Sequence, residues 1–170
     1  MAIFLIANGP MQTTAAFAAV TTGTSIKTLL QLKASATKVL KIKEWGISFD
    51  GSAAATPIKV ELIETDVAAT VTASVAADIT KVDGDALSCG DPTTNLIQVG
   101  TAATGYTSTA EGTTTSVRNL DHPIFIPPTG PFVKQFPLGQ EPVIQVSKFG
   151  RIRVTAGAAV NAYCYAKVEV

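Results

Sequence analysis

The sequence predicts an all-β protein: a two-sheet antiparallel sandwich, jelly-roll-like, with an extended N-terminal arm. Three observations predict it. About eight stretches alternate apolar and polar residues with the period of two that sends successive side chains to opposite faces of a strand. Glycine, proline and aspartate mark turns between them, and no stretch carries the 3.6-residue apolar spacing of a convincing amphipathic helix. Many short strands separated in this way build a sandwich or jelly roll.

A chain of 170 residues is long enough for one domain with a real core. No linker-like break divides it, so the expected organisation is an arm over 1–24 and one domain over 25–170. Charged residues make up only 15% and the formal net charge is +0, which leaves a surface built largely from Thr, Ser, Asn and Gln. Such a surface has no global field to recruit nucleic acid and none to hold copies apart. The apolar start, Ile3-Phe4-Leu5-Ile6, lacks the basic flank of a secretory signal and is too short to cross a bilayer. Left unpaired it would aggregate, so it is expected to pair within its own sheet or against a neighbouring subunit. Two cysteines, Cys89 and Cys164, are too few for a disulfide framework and are expected as free thiols.

After Pro10 the Ala- and Thr-rich run to Val20 has weak helix potential and is taken as irregular arm. Ser25 to Leu32 follows as a strand with one wet face carrying Lys27 and Gln31. The central stretch is Val39 to Gly51. Leu40 and Ile42 occupy even positions, whereas Trp45, Ile47 and Phe49 occupy odd ones, so the buried parity flips between them. A flip needs an extra residue, which predicts a β-bulge at about Lys43 to Gly46, relieved by the glycine, with Trp45, Ile47 and Phe49 as core anchors. Asp50-Gly51 then turns the chain into a connection longer than a two-residue hairpin. Ile58 to Thr65 is the clearest strand of this half, with Ile58, Val60 and Leu62 inward and Lys59, Glu61 and Ile63 outward.

From Asp66 to Ile97 loops and strand fragments are expected, and Gly100 to Gly112, rich in Thr, Ala and Gly, is expected as a mobile loop or an element ordered by a partner. Periodicity then returns. Extended segments are predicted over 117–122, 124–126, 132–136, 142–146, 150–155 and 160–170, with a rigid turn at Pro127 to Pro131. In the last strand Ala162, Cys164, Ala166 and Val168 share one face with Val160, and Tyr163, Tyr165, Lys167 and Glu169 share the other. Small inward residues let two sheets approach closely.

Catalytic chemistry finds little support. His122 is the only histidine, and Asp121 beside it points to the opposite face of an extended chain, where it cannot orient the ring. No Gly-x-Ser-x-Gly motif supplies a nucleophile, and two cysteines with one histidine are too few for zinc. Asp78, Asp83 and Asp85 lack the spacing of a calcium loop. Carboxylates are available in Glu44, Glu61, Glu64, Glu111 and Glu141, but availability is not a site. No Gly-rich phosphate loop precedes a helix. Lys38, Lys41 and Lys43, and Arg151 with Arg153, are not interleaved with aromatics and are expected to solvate outer faces or pair with acidic neighbours. No enzyme activity, cofactor, metal, nucleic acid or membrane is expected.

The stretches Trp45-Gly46-Ile47-Ser48-Phe49-Asp50-Gly51-Ser52-Ala53-Ala54-Ala55-Thr56-Pro57, Val60-Glu61-Leu62, Phe136-Pro137-Leu138-Gly139-Gln140-Glu141-Pro142 and Arg151-Ile152-Arg153-Val154-Thr155-Ala156 resemble small virion structural proteins of tailed bacteriophages. In particular they resemble the decoration, or cement, proteins of the head, over roughly residues 26–66 and 113–170. The resemblance implies an all-β homotrimer on the virion capsid surface, partnered by the major capsid protein, and it carries over no functional residue. Subunit contacts are expected from the apolar arm, Ile3, Phe4, Leu5 and Ile6, and from the outward Tyr163 and Tyr165. Two other readings are a phage tail or baseplate protein and a carbohydrate-binding jelly roll with Trp45, Tyr106, Tyr163 and Tyr165 as a stacking platform.

Overall fold

Alternation along the chain is converted into fourteen strands in a computed structural model that describes residues 2–10, 16, 18–52, 55–83, 96–113 and 115–170. They are β1 Ile3–Ala7, β2 Val20–Thr21, β3 Ile26–Lys33, β4 Leu40–Phe49, β5 Ile58–Thr65, β6 Thr70–Ala73, β7 Ile79–Lys81, β8 Gly105–Ala110, β9 Arg118–Asn119, β10 Ile124–Ile126, β11 Pro131–Gln135, β12 Val143–Ile144, β13 Phe149–Thr155 and β14 Asn161–Glu169. One short 3-10 turn, Ala76–Asp78, precedes β7.

The strands form two antiparallel seven-stranded sheets. Sheet A runs β11-β4-β14-β1-β7, with β12 also on β4 and β2 also on β14; sheet B runs β10-β5-β13-β3-β8-β6, with β9 also on β5. Four rungs of pairing explain this order. β1 pairs with β14, β3 with β13, β4 with β11 and β12, and β5 with β9 and β10. The chain is therefore one long antiparallel hairpin whose successive rungs alternate between the sheets, which is the jelly roll. Residues 66–117 are inserted between β5 and β9, and they widen both sheets at the β1 and β3 side through β7, β8 and β6.

The core lies between the sheets. Sheet A supplies Phe4, Ile6, Leu40, Ile42, Trp45, Ile47 and the small Ala162, Cys164 and Ala166; sheet B supplies Leu30, Leu32, Ile58, Val60, Leu62, Ile152 and Val154. The predicted bulge is present. Lys167 pairs with Glu44 and Val168 with Ile42, which leaves Lys43 as the extra residue and puts Leu40, Ile42, Trp45, Ile47 and Phe49 all inward. Gly46, however, serves a neighbour more than the bulge: a Cβ there would lie 2.7 Å from the ring of Tyr165.

Three expectations are corrected. First, Ile3–Ala7 is not part of an extended arm: of its two expected pairings it makes the one within its own sheet, as an interior strand bonded to β14 on one side and β7 on the other, because Phe4 and Ile6 gain more by burial in their own core. Second, β3 has no wet face at Gln31, and Ile63 on β5 is buried outside the main core cluster. Both lie on the outer face of sheet B, in one cross-strand row with Arg151. The insert closes over this row: the Gln31 side chain bonds Ala69 N–H at 2.8 Å and the Ala103 carbonyl at 2.7 Å. Third, Gly100 to Gly112 is ordered by its own chain, through β8 between β3 and β6. Gly105 permits that approach, since a Cβ there would meet the Thr72 carbonyl at 2.3 Å.

Candidate functional site

Register places the candidate surface on the outer face of sheet A. Leu5 stands beside Lys167 and Ala7 beside Tyr165, while Gly46 flanks Tyr165 and Ser48 flanks Tyr163 on the other side. Tyr163 and Tyr165 are half-buried, with ring centroids 6.4 Å apart at 35°. Tyr165 lies over Gly46 and donates its hydroxyl to Glu44 Oε1 at 2.7 Å; Lys167 Nζ reaches the same oxygen at 2.9 Å. Burial and then the Glu44 carboxylate push the Tyr165 hydroxyl up to about 12. The Tyr165 and Lys167 hydrogen bonds in turn hold Glu44 below its ordinary value.

Beside this face lies an open groove of about 540 Å³, with Ile3, Val82, Phe136 and Leu138 around Lys43, Glu44, Glu141 and Lys167. The bulge turns Lys43 outward, where its ammonium meets Glu141 Oε1 at 2.6 Å and Glu169 Oε2 at 2.7 Å. The Lys43 bond and backbone N–H donors lower Glu141 to about 2. Each charge in the groove thus faces an opposite one, and the surface is an apolar rim over a neutralised floor.

The three most exposed large apolar side chains among the described residues are Leu138 on the rim of this groove, Phe125 of β10 and Val133 of β11. Leu138 is 90% exposed, Phe125 71% and Val133 59%. Phe125 and Val133 face outward because their strand neighbours Ile126 and Phe132 are drawn toward the core.

Of the expected contact residues, Ile3, Leu5, Tyr163 and Tyr165 share this outer face, whereas Phe4 and Ile6 are buried in the core and offer nothing to a partner. Trp45 is buried too. Its ring packs on Phe132 at 5.1 Å and its indole N–H donates to Asp121 Oδ2 at 3.2 Å, so it cannot join a sugar platform. Ile47 and Phe49 are buried beside it. Asp121 serves Trp45, Lys134 at 2.5 Å and the backbone N–H of His122, and not the exposed His122 ring. Asp78 bonds the Val75 N–H and Asp83 the Ile3 N–H; Asp85 and Cys89 lie outside the described residues. Cys164 is a free thiol, and burial pushes its pKa up. Among the described residues no three His, Cys, Asp or Glu side chains gather as a metal set.

Arg151 and Glu111, separated by forty positions, make the arrangement least visible in the sequence. Arg151 is fully buried, its guanidinium bonding the Val67 and Glu111 carbonyls and lying 3.5 Å from Glu111 Oε2. Glu111 also accepts the Thr28 N–H at 2.6 Å, the Thr28 hydroxyl at 2.7 Å and the Ser108 hydroxyl. An arginine at an outward position of β13, opposite the apolar Ile63 rather than an acid such as the Glu61 opposite Arg153, was the only hint of it. Comparison of the chain with protein-family models, with curated proteins and with solved structures gives no match.

Proposed function

We propose that the protein is a structural component of a tailed-phage virion, a decoration protein that binds the outside of the head and stabilises the capsid lattice by bridging its subunits. The observation that carries this reading is the outer face of sheet A, where Ile3, Leu5, Tyr163 and Tyr165 lie among charges that are already paired. Its charges, being paired, cost less to desolvate than free ones, and its apolar side chains gain from contact with a partner. A neutral chain adds no repulsion between copies crowded on a shell. The mechanism is mass action: a subunit that binds only the expanded shell lowers the free energy of that state. The major capsid protein is the partner, and the sequence resemblance supplies the virion context.

The burial of Trp45 counts against the carbohydrate reading, which is left with half-buried Tyr163 and Tyr165 on sheet A and half-buried Tyr106 apart from them on sheet B. The test is cosedimentation of the purified protein with emptied, expanded heads that lack their decoration. Saturable binding is expected, with at least a tenfold loss for Leu5→Glu combined with Tyr163→Ala at unchanged thermal stability. A protein that stays in the supernatant, or that binds a glycan array and ignores heads, overturns the assignment.

A further inference from the structure

Sheet edges are the places where one chain adds to another, and native proteins protect them by shortness, charge or broken register. Three of the four ends are protected here. β7 and β10 are three residues long, and Asp83 beside β7 pairs with Lys81 and the Ile3 N–H. β6 has two register shifts against β8. β11 differs: it runs for five residues in unbroken register with β4.

Among the described residues its bonding pattern leaves one side open. Phe136 N–H bonds the Lys43 carbonyl, and by alternation the ladder to β4 uses the even positions of β11. Val133 and Gln135 therefore direct their N–H and C=O groups away from β4, as does the Pro131 carbonyl. Val133 is exposed at the centre of this edge. The only charge on the strand, Lys134, is drawn to Asp121 and does not guard it.

We propose that β11 pairs antiparallel with β11 of a second copy of this chain, about a twofold axis at Val133, joining the two copies of sheet A into one continuous sheet. The donors and acceptors of the strand are complementary to themselves in this register. Val133 exchanges both bonds with its counterpart, and each Gln135 N–H meets the other Pro131 carbonyl, so the donor that proline lacks falls at the end of the ladder. Moving the axis to Lys134 sets two ammonium-bearing side chains directly opposite each other, which disfavours that register. Moving it to Phe132 leaves Gln135 unpaired. With a formal net charge of +0 the copies do not repel one another at long range. The inference does not depend on the virion reading, and it sets a twofold dimer in place of the homotrimer that the resemblance implies.

Light-scattering mass as a function of concentration tests it. The expected result is two chains for the natural sequence and one for Val133→Lys, which places like charges across the axis while leaving the β4 ladder intact. Val133→Cys is expected to form a 133–133 disulfide under mild oxidation, located by peptide mapping, because a hydrogen-bonded antiparallel pair has a Cα separation of about 5.5 Å, within disulfide range. A monomer at every concentration, a trimer, or a dimer whose mass Val133→Lys leaves unchanged overturns the proposal.

Discussion

Gly46 shows how a single residue is set by its neighbour across a sheet. Tyr165 occupies the space a side chain would take, with Cε1 2.7 Å and the Phe132 carbonyl 3.1 Å from the Cβ position. The seat lets the phenol reach Glu44. In Gly46→Ala the ring must lift, and a loss of about 1–3 kcal/mol is expected from overpacking. Because the folded protein favours the neutral phenol, Tyr165 contributes stability that is whole below pH 10.0 and is lost as pH rises through about 12. Ultraviolet titration of the natural protein should therefore show one tyrosine ionising near 12, and in Gly46→Ala that step should move toward 10.0. An unmoved step would mean that the glycine does not hold the ring.

Among the elements, the insert shows most clearly what holds one part of the fold to another. Residues 66–117 contain little that packs by hydrophobic periodicity, yet β6 and β8 of this insert lie in sheet B, where Arg151 and Glu111 tie the chain down. Removing one partner of a buried pair strands the other charge, at a cost of about 3–5 kcal/mol. Arg151→Met is expected to lose that much in urea unfolding and to lose hydrogen-exchange protection first in β8. Adding Glu111→Gln should recover part of the loss. If the single variant kept full stability, the Gln31 hydrogen bonds and the apolar burial of Ile63 would be holding the insert. The pairing was hidden in the sequence because alternation marks Arg151 as outward, and outward arginines ordinarily meet solvent. The bulge in β4, by contrast, was legible, since only an added residue reconciles Leu40 and Ile42 with Trp45, Ile47 and Phe49.

For the whole molecule, paired carboxylates on a weakly charged chain set the acid limit of stability. Glu141 has its folded pKa depressed from 4.5 to about 2 by Lys43, and Glu44 and Glu61 are also lowered, Glu61 because Lys59 and Arg153 outweigh the opposing effect of its burial. A depressed pKa contributes stability above the unfolded value and loses it as pH falls through the folded one. Urea midpoints should therefore hold from neutral pH down to about 4.5 and decline toward 2, and Lys43→Met should flatten the decline. An equally steep decline in that variant would place the acid sensitivity elsewhere.

The sequence by itself determined the long strands on either side of the insert, the bulge, the anchors and the outward tyrosines, because each follows from the two-residue period and the free energy of removing apolar side chains from water. Only the tertiary structure decided which outward faces stay wet. Phe4 and Ile6 became core once β1 slipped between β14 and β7, and Gln31, Ile63 and Arg151 were buried by an insert whose own sequence shows no strong pattern. Local periodicity fixes which way a side chain points. What it meets there depends on residues far along the chain, brought near only when the hairpin rolls up.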